Sequence, residues 1–169
     1  MLLPDGRVVT VRSIHETDAG ALRAFYLGLS DRSLRMRHLG WVRPLSREMA
    51  QKMSTVDFSS RFAFIALLGD QVVADCRLLP NDDGELEVAI VVADALQGRG
   101  IGKVMLDLAL DVVGGRRVVA EVSYDNQPSL GLLWSRGFVR TRWEFGVMEF
   151  VHELTLAASR VHALTPTGK

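Results

Sequence analysis

A single cysteine, Cys76, excludes an intramolecular disulfide and a cysteine-based metal site, and its place in an apolar stretch reads as a small buried hydrophobe. The four histidines, His15, His38, His152 and His162, show no ligand spacing, so no metal is expected. Net charge is lacking too. Twenty basic residues balance twenty acidic ones, which leaves no global field to draw the chain to nucleic acid or to an anionic membrane. No apolar run approaches the length of a membrane span. The opening residues 1–7 have neither the charged start nor the apolar stretch of a secretory signal, so a cytoplasmic protein is expected. Repeats, long linkers and low-complexity segments are absent as well. What is present, 169 residues with 48% apolar and 24% charged side chains, suffices for one well-buried domain and is short for two.

The most informative stretch is Gln97, Gly98, Arg99, Gly100, Ile101, Gly102, which joins an apolar run at 86–92 to an amphipathic one at 101–113. With no side chains at Gly98, Gly100 and Gly102, the backbone can approach a ligand closely. The first N–H groups of the new helix have no intrahelical acceptor, and with the helix dipole they favour a phosphate. Spacing then discriminates between phosphate folds. A dinucleotide fingerprint counted from Gly98 and Gly100 needs glycine at 103, where Lys103 stands. A P-loop ending at Gly102 and Lys103 needs glycine at 97 and Ser or Thr at 104, where the chain has Gln97 and Val104. What remains is Gln, two residues, Gly, one residue, Gly. On this hexamer alone, a plain strand-to-helix turn with a glycine cap is the alternative.

Residues 7–14 alternate with period two and predict a first strand. A helix follows, capped by Thr17 or Asp18, with Ala21, Leu22, Phe25, Tyr26 and Leu29 in an apolar stripe. Residues 30–38 predict a shorter helix, and residues 47–54, capped by Ser46, a third with Met49 and Met53 inward. Residues 62–68 and 72–79 around Gly69 and Asp70 predict a hairpin. The turn at 81–84 leads to a strand at 85–92, the glycine turn, and a helix at 101–113 with Ile101, Val104, Met105, Leu108 and Val112 on one face. A strand at 117–122, a helix opened by Pro128 and running to Arg136, and strands at 138–145 and 147–156 complete a domain over 1–156. The tail 157–169 should fray. This order predicts a mixed α/β (α+β) domain in which a meander precedes strand and helix crossovers. Trp41, Trp134 and Trp143 read as core or interface residues.

Three features in the C-terminal half now act together: the glycine turn, Asn126 eleven residues before Gly137 and Phe138, and Pro128 in the first turn of the helix between them. They resemble the GNAT superfamily of N-acetyltransferases, and the element order extends the likeness over most of the chain. Within that superfamily, Asp5-Gly6-Arg7, Gly28-Leu29-Ser30 with the Arg-rich 33–38, Leu86-Glu87-Val88-Ala89 and Asn126-Gln127-Pro128 look most like the catalytic domain of bacterial Pat-type protein lysine acetyltransferases. Those proteins usually join this domain to a much larger one. The resemblance implies the GNAT fold, a mixed, mostly antiparallel central sheet of about seven strands flanked by helices. It implies acetyl-CoA as cosubstrate, no metal, and direct transfer in a ternary complex to an amine acceptor, a protein lysine first and a small-molecule amine second. A non-catalytic acyl-CoA-binding module is the rival from another class.

A lysine amine, with a pKa near roughly 10.4, is almost wholly protonated at pH 7, so a nearby proton acceptor raises the reactive fraction. The resemblance puts that base at Glu87, which strand periodicity sets on one face with Glu85, Ala89 and Val91. The wet face of an antiparallel strand is the plain alternative. The resemblance further implies that Ile90, Val91 and Val92 offer strand backbone to the pantetheine arm and an N–H to the thioester oxygen. Gln97, Gly98, Arg99, Gly100, Ile101, Gly102 and Lys103 would surround the pyrophosphate, and Asn126 would bond the arm or cap the next helix. Many relatives carry a general-acid Tyr seven residues after this Asn; here Leu133 stands there, and Tyr124 reads as an ordinary cross-strand aromatic. Arg32, Arg35, Arg37, Arg43 and Arg47 form one basic cluster, either a solvated helix face or a seat for an acidic protein surface. Residues 145–156, apolar and aromatic, offer a last strand for pairing two copies into a homodimer.

Overall fold

The computed structural model describes residues 1–40 and 44–152. After β1 (Val9–Ser13) and a 3-10 turn at Glu16–Asp18 come α1 (Ala19–Leu27), α2 (Asp31–His38) and α3 (Arg47–Ser54). The meander β2 (Phe62–Leu68), β3 (Gln71–Pro80) and β4 (Leu86–Val92) follows, then α4 (Ile101–Val113), β5 (Val118–Ser123), α5 (Gln127–Trp134), β6 (Val139–Glu144) and β7 (Val147–His152). All seven strands join one sheet in the order β1-β2-β3-β4-β5-β7-β6. Short turns join the antiparallel pairs β2–β3, β3–β4 and β6–β7, and β1–β2 and β5–β7 are antiparallel across longer connections; only β4 and β5, separated by the α4 crossover, run parallel. The expected mixed, mostly antiparallel sheet flanked by helices is what forms.

Each face of the sheet buries its own core. Met105, Leu106, Ala109 and Val113 of α4, with Leu130 and Leu133 of α5, pack on Leu78, Leu86, Val88, Val118, Ala120 and Phe150. On the other face Leu22, Phe25 and Tyr26 of α1 pack on Ala63, Ile65, Val72 and Val91. Cys76 lies wholly buried in the first core; burial and the neighbouring Asp75 charge push its thiol up, leaving it unreactive.

Several local expectations change. The buried stripe of α4 runs Ile101, Met105, Leu106, Ala109, Val113, so the 3.6-residue period carries the exposed Val112 past the core edge. Met49 is likewise exposed, and α3 turns Ala50 and Ser54 inward. Neither Thr17 nor Asp18 caps α1: His15 Nδ1 accepts from the Thr17 amide at 3.3 Å. The Asp18 carboxylate reaches back to the His15 amide and is held by Arg12, at 2.7 Å each. Trp134 and Trp143 are 53% and 64% exposed rather than core, because α5 ends at the first and the second lies on the edge strand β6. The expected strand end at 153–156 and the tail, with Trp41 and Arg43, lie outside the described residues.

Candidate active site

The sheet opens between β4 and β5. These strands share only two rungs, Leu86 with Val118 and Glu87 with Val119, after which they part. Beyond Glu87, β4 is laddered on one edge only, by β3. The Ala93 amide donates to the Val73 carbonyl at 2.8 Å. By the alternation of an antiparallel ladder, the backbone groups of Val91 therefore turn to β3, and those of Val88, Ile90 and Val92 turn into the opening. Of the strand residues expected to offer backbone, Ile90 and Val92 turn into the opening, where the Val92 carbonyl accepts from the Gln97 side chain, and Val91 turns to β3.

Side chains alternate about the same strand. Val88 packs in the α4 core with Ile90 and Val92 against it, and Val91 is buried under α1. Glu87 therefore lies on the α1–α2 face, at the apex of the opening. It is half-buried, not on a freely wet strand face. Burial raises its carboxyl above the ordinary range, and the Glu121 charge adds to this while Arg37 of α2 opposes it.

The glycine turn stands at the C-terminal end of β4. Gly98 and Gly100 have φ of +73° and +84°, conformations open to glycine. A Cβ at Gly98 would meet nothing within 4 Å, and one at Gly100 only the end of the Met1 side chain at 3.8 Å. No side chain caps α4, so its first-turn amides stay available. Arg99 turns away from the cradle to Asp5, which Arg7 also holds at 2.8 Å. Lys103 is exposed in the first turn of the helix, and Ile101 is buried beneath the glycine turn.

Gln97 has a different role from the one expected of its side chain. Its amide donates to the Ser33 hydroxyl at 3.0 Å and to the Val92 carbonyl at 3.1 Å. Asp94 joins the same lock, accepting from the Ser30 amide and hydroxyl and from the Ser33 hydroxyl at 2.6–3.0 Å. The start of α2 is thereby tied to the loop that leads into the glycine turn. Asn126 caps α5, its Oδ1 accepting from the Ser129 amide at 3.4 Å. Leu133 belongs to the main core. Tyr124 is exposed in the turn after β5, its ring against Gly146 and not across a strand pair.

Between β3 and the helices α1 and α3 lies a buried polar group that sequence reasoning missed. Asp75 is wholly buried, and its Oδ2 accepts from the Tyr26 hydroxyl and from Arg77 Nε, each at 2.8 Å. Arg77 Nη1 continues to the Met53 carbonyl at 2.7 Å, so β3 is pinned to α1 and α3. Burial, then the Asp75 charge, pushes the Tyr26 phenol up, so it remains a neutral donor. The available signal was a pair of charges, Asp75 and Arg77, inside an otherwise apolar strand. In the basic cluster Arg32, Arg35 and Arg47 are exposed, while Arg37 is partly buried with Nε lacking a protein partner among the described residues. No group of three or more His, Cys, Asp or Glu among the described residues is placed to hold a metal, and no helix there is long and apolar enough to cross a membrane.

Similarity to known proteins bears on this geometry. Residues 31–138 match the acetyltransferase (GNAT) family. Over 162 residues the chain is 28% identical to acetyltransferase PA5475 of Pseudomonas aeruginosa, covering 91% of this chain and 87% of that one. It is 30% identical over 114 residues to acetyltransferase Pat of Mycolicibacterium smegmatis, spanning 63% of this chain and about a third (34%) of that relative. The GNAT domain of S. lividans PAT superposes with a TM-score of 0.83 at 30% identity, over 91% of this chain and 95% of that domain. The protein yncA of Salmonella typhimurium, solved with its cofactor acetyl-CoA, shares the fold at 18% identity, with a TM-score of 0.67 over 89% and 96% of the two chains. The chain belongs to the GNAT family and is an acetyl-CoA-dependent acetyltransferase.

Proposed function

We propose that this enzyme transfers acetyl directly to an amine that arrives protonated beside Glu87 and is deprotonated there before it attacks, and that the amine is the side chain of a protein lysine. The observation that carries the reading is the position of Glu87, half-buried at the last rung before the sheet opens, with its carboxyl raised toward the range useful to a general base. The choice of lysine over a small amine rests on the likeness to Pat-type domains.

Acetyl-CoA supplies a thioester carbonyl for the amine to attack, and the products are the acetyl amide, the free thiol and one proton. The amides of residues 98–102 fit its pyrophosphate, an open cradle with no Cβ at Gly98, Gly100 or Gly102, at the start of a helix 13 residues long. Lys103 adds positive charge at its rim, and Arg99 does so once released from Asp5. The outward backbone groups of Ile90 and the amide of Val92, whose carbonyl Gln97 holds, pair with the pantetheine arm, and an N–H there polarises the thioester carbonyl. Glu87 takes the proton from the ammonium group and leaves the nitrogen free to attack. No tyrosine acid is assigned, since Leu133 is core.

The test is a panel of Nα-acetyl-lysine amide, lysine-bearing peptides and spermidine, with wild-type protein and Glu87→Gln. Glu87→Gln should lower kcat/KM by about 10²–10⁴ while acetyl-CoA still binds. Unchanged turnover in that variant overturns the base assignment. Spermidine outrunning every lysine acceptor transfers the reading to small amines, and binding of acetyl-CoA without turnover on any amine favours a non-catalytic module.

A further inference from the structure

Across the opening of the sheet, register places a second carboxylate beyond Glu87. Val119 is its rung partner, and side-chain alternation puts Glu121, two residues further along β5, on the same face. Two residues advance a strand by about 7 Å, so Glu121 stands on the far bank just past the apex. Directly opposite it on β7 is Glu149. Like charges in directly opposed cross-strand positions destabilise the pair. Arg142 stands opposite Glu149 on β6 but pairs with Glu144 at 3.2 Å, and neither Glu121 nor Glu149 has an ion-pair partner among the described residues. Glu149 only accepts from the Thr141 hydroxyl, at 2.7 Å. The same face continues past Ser123 into a cleft of about 320 Å³ between the end of α2 and the β6–β7 turn. Met36, Tyr124 and Phe145 give that cleft apolar walls, and Arg35 and Asp125 stand at its charged rim.

We propose that Glu121 is the residue that captures the acceptor's ammonium group and guides it to Glu87, with the apolar part of the acceptor lying toward the cleft beside it. The inference rests on the Glu87 reading and deepens it: the acceptor class is a protonated primary amine on a flexible apolar stem. A lysine side chain has that form, and the negative charge of Glu121, which no ion pair neutralises among the described residues, is complementary to it. Glu121 also acts on Glu87 itself, as one of the charged groups on this face. The face also carries Glu85 just before β4, Glu149 of β7 with Arg142 of β6 opposite it, Arg37 and His38 of α2, Asp75 and Arg77 of β3, and the neutral Tyr26 of α1. Removing the Glu121 charge removes an influence that raises the Glu87 carboxyl, so the acidic limb of the rate profile moves to lower pH.

The experiment uses the full chain saturated with coenzyme A and two probes, Nα-acetyl-lysine amide and its uncharged analogue Nα-acetyl-norleucine amide, with affinities read by calorimetry. Glu121→Gln should weaken the lysine probe at least tenfold and leave the norleucine probe within twofold, and Glu121→Asp should restore most of the loss. In turnover, Glu121→Gln should shift the acidic limb of kcat/KM to lower pH. Equal effects on both probes, no effect on either, or a wild type that does not discriminate between them overturns the assignment. Failure of the underlying reading looks different: the acidic limb then survives in Glu87→Gln.

Discussion

Replacing Asp75 with alanine should be among the most damaging single changes in the chain, for a reason visible in its contacts. Asp75 and Arg77 are 0% and 2% exposed, and one carboxylate oxygen serves both Tyr26 and Arg77 at 2.8 Å. Without it the Arg77 guanidinium stays buried with only the Met53 carbonyl as a partner. Removing one member of a buried pair costs about 3–5 kcal/mol, mostly from the charge left behind. At about 2–4 °C per kcal/mol for a domain of this size, the melting temperature should fall by roughly 6–20 °C. Tyr26→Phe removes one hydrogen bond to a charged group and should cost less, about 1.5–3 kcal/mol. Replacing the whole group, with Tyr26→Phe, Asp75→Leu and Arg77→Met together, should cost less than Asp75→Ala alone, since no buried charge is orphaned. Urea unfolding followed by circular dichroism measures all three. An Asp75→Ala variant within 1 kcal/mol of wild type, or a triple variant less stable than the single one, refutes the argument.

Gly100→Ala places an L side chain at φ +84°, with a strain of about 1–2 kcal/mol, and puts a methyl at the cradle. Acetyl-CoA affinity by calorimetry should fall at least tenfold. In contrast, Gly131→Ala, inside α5 with nothing within 4 Å of the new methyl, should stabilise by about 0.5–1 kcal/mol without touching affinity. For Glu87 the sign of the linkage is set by its raised folded-state pKa: the stability it contributes is present below the unfolded value and lost as pH rises through the folded one. At pH 7 the ionised carboxylate is therefore a burden, so Glu87→Gln should raise the melting temperature, a gain that disappears as pH falls below the ordinary glutamate range. Thermal scans at pH 4 and pH 7 check it.

The strand and helix order was legible because glycine-rich turns separate segments whose hydrophobic period switches cleanly between two and 3.6. The apex position of Glu87 was only half legible. Alternation assigned its face, but that the face is roofed, and that β5 leaves β4 just after it, depends on tertiary packing. Asp75 and Arg77 show the same limit, since two charges on alternate residues look like a solvated face until α1 and α3 cover them. Spacing at the glycine turn described its backbone well and the Gln97 side chain poorly, because the Ser33 partner lies 64 residues earlier in sequence. The Glu121–Glu149 juxtaposition is a matter of register, which neither strand carries alone.

Direct transfer driven by ionised Glu87 is tested most directly by the pH dependence of kcat/KM for the best lysine acceptor, wild type against Glu87→Gln, with acetyl-CoA saturating. The account predicts an acidic limb in the wild type lying above the ordinary glutamate range, and its disappearance in the variant together with most of the activity. A limb that persists unchanged in Glu87→Gln contradicts it and sends the search for the base to another group on the same face.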